Sequence, residues 1–349
     1  MNTHHIYIRR CIEIAQNALG IARPNPMVGC VIVHNQIIIG EGYTGKYGGP
    51  HAEVNAIQSV TDKSVLQEAT LYVTLEPCSH FGKTPPCSDL IIRHKIPRVV
   101  IGTIDTHSKV AGKGVLKLQN AGCDVTIGIL EDECKKHHKR FFTFHNKKRP
   151  YIILKWAQTL DLFIAPEKTI ERAPVWITNT YSRQLVHKWR AEEQAILVGN
   201  KTVIEDNPRL TIRNWSGTNP IRILIDLSNK TPKNSAILDR TVKTIIMTNE
   251  NKNTAIQNKD MLSYEFIKNE DTIIEEICTI LHQQEIQSVI IEGGRHTIQS
   301  FIDKNLWDEA RVFTGSVIFK NGIKAPVLKT NPISEQKIMN DTLRIYLND

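Results

Sequence analysis

Two successive runs of alternating strand-like and helical segments constrain the fold of this chain more than any other feature. Short apolar segments alternate with stretches of helical spacing in the first half, and the alternation restarts at Pro150 after a basic segment. Strands that alternate with helices are typical of α/β folds in which helices cover a sheet. The chain has 349 residues, which is long for one domain at about 150 residues per domain. The sequence therefore predicts two α/β domains, 1–148 and 149–349.

The expected elements follow from apolar runs of strand length and from helical spacing of apolar residues. The predicted strands of the first domain are Val28–Val33, Ile37–Gly40, Thr70–Leu75, Arg98–Gly102 and Asp124–Gly128. Those of the second are Tyr151–Trp156, Ala195–Val198, Ile221–Ile225, Val242–Met247, Ser288–Ile291 and Ala310–Phe313. Helices are expected at Met1–Gly20, Ala52–Val60, Ser88–His94, Tyr181–Arg190, Thr272–Gln283 and His296–Asp303.

The composition is typical of a soluble globular protein. Hydrophobic residues make up 41% and charged residues 23%, which excludes a disordered or collagen-like chain. No apolar run reaches the roughly 18 residues that a membrane span needs. Charged residues interrupt the apolar positions of Met1–Gly20, which predicts an amphipathic helix and not a signal peptide. We expect a cytoplasmic protein with no membrane partner.

The formal net charge of +8 is partly concentrated in one basic run, Lys135–Lys148. The favoured interpretation is a solvated domain edge, and the alternative is attraction of a phosphorylated substrate or of nucleic acid. Aromatic residues are 6% of the chain, too few for an extended stacking platform beside the run. A nucleic-acid partner is therefore not expected. The oligomeric state stays open, a homo-oligomer included.

A histidine, a glutamate and two cysteines form the strongest chemical pattern. His51 and Glu53 open a predicted helix, and Cys78 and Cys87 each follow a proline. One imidazole and two thiolates leave a fourth position for water, as in a catalytic zinc site. A carboxylate beside that water can move its proton to a leaving amine. Singly, such a histidine is more often a cap or core residue, and such a cysteine a small hydrophobe.

Together these residues match the zinc-deaminase signature, H-x-E followed by P-C and a further cysteine. His51 and Glu53 can face one metal only at a helix start, and the cysteines suit thiolate chemistry if each begins a helix. One departure is the eight-residue gap between Cys78 and Cys87, since the general signature has two residues there. The seven cysteines are an odd number in a chain without an export signal, which disfavours a disulfide framework.

A glycine pair marks the second domain. Gly293 and Gly294 stand between a predicted strand and a predicted helix, where backbone N–H groups can receive a phosphate. Residues 149–349 contain no G-x-G-x-x-G, so the usual dinucleotide-binding Rossmann domain is disfavoured for this half.

The chain resembles the bifunctional riboflavin-biosynthesis deaminase/reductase family over nearly its full length. The motifs that carry the resemblance in the first half are Arg23–Gly29, Gly49–Glu53 and Thr74–Cys87, including the long gap between cysteines. Those of the second half are Lys155–Asp161, Trp176–Thr178, Arg190–Glu192 and Val198–Arg213. The resemblance implies a cytidine-deaminase-like three-layer domain with Zn²⁺ and a dihydrofolate-reductase-like α/β domain with NADPH.

The implied substrate is a small phosphorylated pyrimidine. The first step would deaminate 2,5-diamino-6-ribosylamino-4(3H)-pyrimidinone 5′-phosphate, and the second would use NADPH to reduce the ribosyl group of 5-amino-6-(5-phosphoribosylamino)uracil to ribityl. By the resemblance, zinc is held by His51, Cys78 and Cys87, with Glu53 catalytic. Asn25 would line the pyrimidine pocket, and His107 stands where the family has asparagine in a substrate loop.

The resemblance also assigns residues to the reductase site. The cofactor would contact Gln158, Trp176, Thr202, Asp206, Ser228, Gly294, Arg295, His296, Thr297, Ile298, Gln299 and Ser300. The sugar phosphate would contact Lys155, Arg190, Leu210, Arg213 and Glu292. Two arginines suit a phosphate because each guanidinium can bind it through two hydrogen bonds. Leu162 replaces a family glycine, and Pro174 stands where the family has serine.

Two other functions remain possible on the residues alone. One is an RNA- or nucleoside-acting zinc deaminase with a C-terminal binding module. The other is a binding protein whose zinc is structural, for which Glu53→Gln would leave every activity intact.

Overall fold

The computed structural model describes residues 3–81, 85–106, 112–167, 175–249 and 261–348. The chain divides into two compact units, Met1–Lys148 and Arg149–Asp349. Within the described residues, no helix combines the length and apolar character that crossing a membrane requires.

The N-terminal unit is built on a five-stranded sheet in the order β2-β1-β3-β4-β5. The strands are β1 Gly29–His34, β2 Ile37–Tyr43, β3 Thr70–Leu75, β4 Arg98–Thr103 and β5 Asp124–Ile127. The helices are α1 Thr3–Ala15, α2 Ala52–Ser59, α3 Cys87–Arg93, α4 Lys113–Asn120, α5 Glu131–His137 and α6 Lys139–Lys147. Strand β1 runs antiparallel to β2 and β3, whereas β3, β4 and β5 are parallel.

Helices cover both faces of this sheet, so its central strands are apolar on both sides. Cys30 and Ile32 of β1 pack in a core with α2, α3 and α4, and Val31 packs on the opposite face with α1 and α5. Helix α2 lies directly on the backbone of β2, since a Cβ on Gly42 would stand 2.3 Å from the nitrogen of Ala56. This close approach positions the start of α2.

The C-terminal unit contains a nine-stranded sheet in the order β11-β10-β9-β8-β12-β6-β13-β16-β15, and β7 pairs with β14 separately. The strands are β6 Tyr151–Gln158, β7 Phe163–Pro166, β8 Ala195–Gly199, β9 Ile221–Ile225, β10 Thr244–Thr248, β11 Leu262–Phe266, β12 Ser288–Glu292, β13 Glu309–Thr314, β14 Gly322–Lys324, β15 Ser334–Ile338 and β16 Asp341–Leu347. The helices are α7 Thr180–Glu192, α8 Asn200–Asp206, α9 Ile273–Gln283 and α10 Arg295–Asp303.

In the order just given, each strand from β11 through β13 pairs in parallel with the next. The sheet then continues with two antiparallel pairings, β13 with β16 and β16 with β15. Hydrophobic clusters cover both faces, which explains why these strands read as continuous apolar runs. The carboxyl ends of parallel strands meet at one edge, where α/β proteins place their ligands.

The two predicted runs of strands and helices are present, and the structure adds elements that the sequence did not predict. The predicted helix Met1–Gly20 ends earlier, at Ala15, followed by a 3₁₀ turn. The basic run Lys135–Lys148 forms the end of α5 and all of α6, which buries Phe141 and Phe144. The elements without a sequence prediction are β7, β11, β14, β15, β16, α4, α5, α6 and α8. Of these, β15 is an edge strand with four of its five residues exposed.

Candidate functional site

The side chains of His51, Cys78 and Cys87 meet beyond the carboxyl end of β3. The Nδ1 atom of His51 lies 3.6 Å from the Cys78 sulfur and 3.3 Å from the Cys87 sulfur. All three ligand atoms lie within 4.8 Å of one another. Zinc–sulfur and zinc–nitrogen bonds of about 2.3 and 2.0 Å place ligand atoms at such separations around one ion. The donor set and its spacing therefore fit zinc with one position left open.

Two helix starts create this geometry. His51 is the extended residue before α2, and Cys87 is the first residue of α3. Cys78 lies in the segment after β3 and does not begin a helix, so the condition stated for the cysteines is met by Cys87 alone. The Cys78 sulfur nevertheless accepts the Cys87 backbone N–H at 3.3 Å. Hydrogen bonds from the Cys87 thiol and from His51 lower the pKa of the Cys78 thiol, which favours a metal-binding thiolate.

Glu53 lies on the first turn of α2 beside the three candidate ligands. Its side chain is 3% exposed and its carboxyl group contacts the Cys87 thiol. Burial, reinforced by the nearby Cys78 sulfur, raises the pKa of Glu53 to about 7. Since His51 is extended and only Glu53 is helical, the two side chains converge, as the helix-start hypothesis predicts. A carboxyl group with such a pKa can both accept and return a proton near neutral pH.

Glu76 is a buried residue of this region that the sequence reasoning missed. Its carboxylate oxygens accept backbone N–H groups of Asp105, Gly112, Gly114 and Val115, and the shortest bond, from Gly114, is 2.8 Å. The last three residues form the start of α4. Glu76 thus caps α4 from the segment that carries Cys78. Its signal in the sequence was a carboxylate directly after a buried strand.

Asn25 is not a member of the cluster of His51, Cys78 and Cys87. Asn25 lies in the half-buried turn before β1, and its backbone N–H donates to the carbonyl oxygen of Ala22 at 2.9 Å. His107 and Pro174 lie outside the described residues. Leu162, where the family has glycine, adopts a left-handed backbone with a φ of 66°. The chain therefore keeps the turn that a glycine would favour.

A cavity of about 1320 Å³ opens at the carboxyl edge of the C-terminal sheet. It is larger than the roughly 300–1,000 Å³ of most ligand pockets, so it has room for a cofactor and a substrate together. Most residues assigned to the reductase site line it: Lys155, Trp176, Arg190, Thr202, Asp206, Leu210, Arg213, Glu292, Gly294, Arg295, His296, Thr297, Gln299 and Ser300.

Three assigned residues lie outside the cavity lining. The Gln158 side chain accepts the indole N–H of Trp156 at 2.9 Å, and Ser228 lies in the exposed turn after β9. The Ile298 side chain is fully buried in the hydrophobic core, because α10 turns that face toward the sheet.

The backbone of the strand-to-helix turn before α10 is open to close approach by a ligand, because Gly293 and Gly294 have no side chains. Gly293 has a φ of 146°, and the Gly294 N–H donates to the Thr202 hydroxyl at 2.8 Å.

Trp176 is 55% exposed, and the Arg183 guanidinium stacks 4.5 Å from its ring centroid. Burial raises the pKa of Asp206 to about 6.

A buried ion cluster forms one wall of the cavity. Sheet register places Glu292 beside Lys155, with 3.6 Å between the carboxylate and the ammonium group. Arg190 donates to the other Glu292 oxygen at 2.7 Å. Burial opposes ionisation of Glu292, but the charges of Arg190 and Lys155 outweigh it and lower the pKa of Glu292 to about 2. Burial also lowers the pKa of Lys155.

Leu210 differs from the other assigned substrate residues. Its side chain is 3% exposed and packs in the core, and its φ of 57° is left-handed. Such a conformation costs about 1 kcal/mol or more for a residue with a Cβ and is concentrated at functional sites. Leu210 nevertheless lines the cavity.

Two family models match this chain. The model for the RibD C-terminal domain matches residues 150–332, and the model for the cytidine and deoxycytidylate deaminase zinc-binding region matches residues 1–103. These matches confirm the predicted fold class of both halves.

Curated relatives match along most of the chain. The riboflavin biosynthesis protein RibD of Aquifex aeolicus is 39% identical, with 94% of this chain and 91% of the relative covered. RibD of Synechocystis is 33% identical, with 100% and 93% covered.

Two solved structures are similar to this chain over nearly its full length. The diaminohydroxyphosphoribosylaminopyrimidine deaminase/5-amino-6-(5-phosphoribosylamino)uracil reductase of Thermotoga maritima has a TM-score of 0.88 and 35% identity. The match covers 98% of each chain. RibD of Acinetobacter baumannii gives a TM-score of 0.86 at 29% identity, with 99% of this chain and 98% of the other covered.

Proposed function

This chain belongs to the RibD family of riboflavin-biosynthesis enzymes, and from that membership we propose how its two sites divide the reaction. The protein is a bifunctional deaminase and reductase with Zn²⁺ and NADPH as cofactors. The match of the RibD C-terminal domain model to residues 150–332 supports this function over an RNA- or nucleoside-acting zinc deaminase with a C-terminal binding module. The hypothesis of a non-enzymatic zinc protein is wrong for the same reason.

The N-terminal unit, 1–148, is proposed as the deaminase. The observation that carries this proposal is the convergence of Glu53 on the cluster of His51, Cys78 and Cys87. These three residues would hold zinc, which supplies the Lewis acidity that activates water for attack on the pyrimidine carbon. The Glu53 carboxyl group receives a proton and delivers it to the departing amine, which leaves as ammonia. Asn25 is proposed to line the pyrimidine pocket.

The C-terminal unit, 149–349, is proposed as the reductase. NADPH supplies a hydride for the ribosyl C1′ carbon. Opening the sugar ring also requires a proton at the ring oxygen as its bond to C1′ breaks. Lys155 is suited to supply it, because burial lowers the pKa of its ammonium group. Arg190 and Arg213 are proposed to bind the substrate phosphate, and Glu292 holds Lys155 and Arg190 in place.

The cofactor is proposed to occupy the opposite part of the same cavity. Its phosphates would meet the turn that Gly294 and Thr202 order at the start of α10, where backbone N–H groups favour anions. Trp176, which is exposed and stacked by Arg183, offers a flat surface for a ring of the cofactor. Gln158 and Ser228 would reach the cofactor only through rearrangement or backbone contacts.

A two-step assay on zinc-loaded protein tests this division. The diamino-pyrimidine ribosyl phosphate is supplied first alone and then with NADPH, while masses and NADPH absorbance are followed. Conversion of amine to carbonyl without NADPH, followed by NADPH oxidation, is the expected result. Deamination with no NADPH oxidation would refute the reductase assignment.

Glu53→Gln is the matched variant for that assay. Loss of the proton carrier should lower the deamination rate about 10²- to 10⁴-fold. Zinc content should be unchanged because Glu53 is not among the three ligands. NADPH oxidation on the deaminated intermediate should also be unchanged. Full deamination by Glu53→Gln would contradict the proposed role.

A further inference from the structure

His187 is a buried imidazole in the cavity wall to which the proposed function gives no role. Its side chain is 5% exposed and lines the cavity together with Arg190, Arg213, Lys155 and Glu292. It lies on α7 three residues before Arg190, so the two side chains share one helix face.

One hydrogen bond sets the tautomer of this ring. The backbone N–H of Arg213 donates to Nδ1 of His187 at 3.4 Å. A backbone N–H can donate only to an unprotonated ring nitrogen, so a neutral His187 carries its hydrogen on Nε2. Burial and the charges of Arg190 and Arg213 lower the pKa of His187 to about 4, which keeps the ring neutral at pH 7. The ring is thus a neutral N–H donor in the cavity wall.

The charges around His187 favour an anion. Lys155, Arg190 and Arg213 contribute three positive charges, and Glu292 contributes one negative charge. A phosphate monoester with nearly two negative charges balances this excess, and its oxygens are acceptors only. The sugar and the pyrimidine ring, in contrast, have no charge to offer.

We propose that His187 binds the phosphate of the sugar phosphate substrate through its Nε2–H, and that the Arg213 backbone holds the ring in the required tautomer. The inference rests on the proposed reductase function. His187 is then a substrate-binding residue that adds one neutral donor to the two arginines. It carries no proton in the reaction.

Two isosteric variants separate the two ring nitrogens. In His187→Asn the amide oxygen takes the place of Nδ1 and accepts the Arg213 N–H, but the donor at Nε2 is lost. In His187→Gln the amide NH₂ takes the place of Nε2, and the acceptor at Nδ1 is lost. A purely structural role predicts that glutamine is the worse variant, whereas phosphate binding predicts that asparagine is.

The measurement is the KM of NADPH oxidation with 5-amino-6-(5-phosphoribosylamino)uracil and with its dephosphorylated form. For His187→Asn we expect the KM of the phosphorylated substrate to rise about 10- to 100-fold, the range for a hydrogen bond to a charged group. The KM of the dephosphorylated form should change less than about twofold. The kcat should stay unchanged, because the lost hydrogen bond stabilises the bound substrate and the transition state equally. His187→Gln should restore most of the phosphate-dependent affinity.

Lys188→Gln is the control, because it removes a positive charge from the same helix at a half-exposed side chain that pairs with Glu192. It should leave both KM values unchanged. An equal KM change for both substrates in His187→Asn, or no change, would overturn the assignment. Calorimetric titration with ribose 5-phosphate and with ribose gives a readout without turnover. If the wild-type protein oxidises no NADPH, the reductase proposal fails, and weaker ribose 5-phosphate binding by His187→Asn still decides the role of His187.

Discussion

Replacing Glu76 by glutamine should destabilise the N-terminal unit by about 3 kcal/mol without a change in side-chain volume. The Glu76 side chain is 5% exposed. One carboxylate oxygen accepts N–H groups of Gly114 and Val115 at 2.8 and 3.3 Å. The other accepts those of Gly112 and Asp105 at 2.9 and 3.3 Å. Every donor is a backbone group, three of them at the start of α4 and one at Asp105 after β4.

The magnitude follows from what a glutamine side chain lacks. Whichever oxygen becomes NH₂, one short and one long hydrogen bond are lost, and the NH₂ group then faces two N–H donors. A hydrogen bond to a charged acceptor contributes about 1.5–3 kcal/mol, and an orphaned buried donor costs about 1–3 kcal/mol. The two remaining bonds also lose the full negative charge. Allowing for local relaxation, we expect a loss of about 3 kcal/mol, or roughly 10 °C in the unfolding temperature of a unit of this size.

Scanning calorimetry of the zinc-loaded full chain measures this loss. The transition of the N-terminal unit is assigned by the temperature at which deamination is lost, and NADPH oxidation reports on the C-terminal unit. Glu131→Gln is the matched control, because Glu131 pairs with Lys135 at the surface with both side chains about half exposed. Such a pair contributes about 0.5 kcal/mol or less. A Glu76→Gln loss no larger than that of Glu131→Gln would refute the role of the Glu76 charge.

Three further perturbations have defined outcomes. Gly114→Ala places a Cβ 2.1 Å from the Pro77 carbonyl oxygen, so it must displace the segment that carries Cys78. The free energy of unfolding should fall by about 1–3 kcal/mol, and a chelator should remove zinc faster. Unchanged zinc retention would contradict this prediction. Leu162→Gly should stabilise the C-terminal unit by up to about 1 kcal/mol in thermal unfolding, since Leu162 has a φ of 66°, and a clear loss would show that its side chain is needed. Burial lowers the pKa of His138 well below its usual value, so the unfolded chain binds a proton that the folded chain does not as the pH falls below about 6.5. In urea unfolding, His138 should make the free energy of unfolding of the N-terminal unit decrease by up to about 1.4 kcal/mol for each pH unit below about 6.5. His138→Gln should reduce this pH dependence. An unchanged pH dependence in the variant would exclude His138 as its source.

The cluster of His51, Cys78 and Cys87 could be anticipated from the sequence because the positions of these residues depend on local structure. His51 and Glu53 are two residues apart at a helix start, and Cys87 begins a helix after a proline. Helix starts and buried parallel strands leave clear signals in a sequence, since capping preferences and apolar runs are properties of short segments. The strand β15 left no such signal because its first four residues, Ser334 to Lys337, are exposed and polar.

The cavity residues were assigned by resemblance, and the structure changes what several of their side chains can do. Ile298 is in the core and Gln158 bonds to Trp156, so neither side chain lines the cavity. Ser228 lies in a turn outside it. A motif can align a residue with a site, but the direction of its side chain depends on the packing of the helix or strand around it.

By itself the sequence determined two α/β units, the candidate zinc ligands, the carboxylate beside them and the resemblance to the family. Only the tertiary structure showed that Glu76 caps a helix that begins nearly forty residues later, and that the Arg213 backbone sets the tautomer of His187. The physical reason is that a hydrogen bond depends on distance and direction in space. Residues far apart in the chain acquire such a relation only when the sheet register and helix packing bring them together.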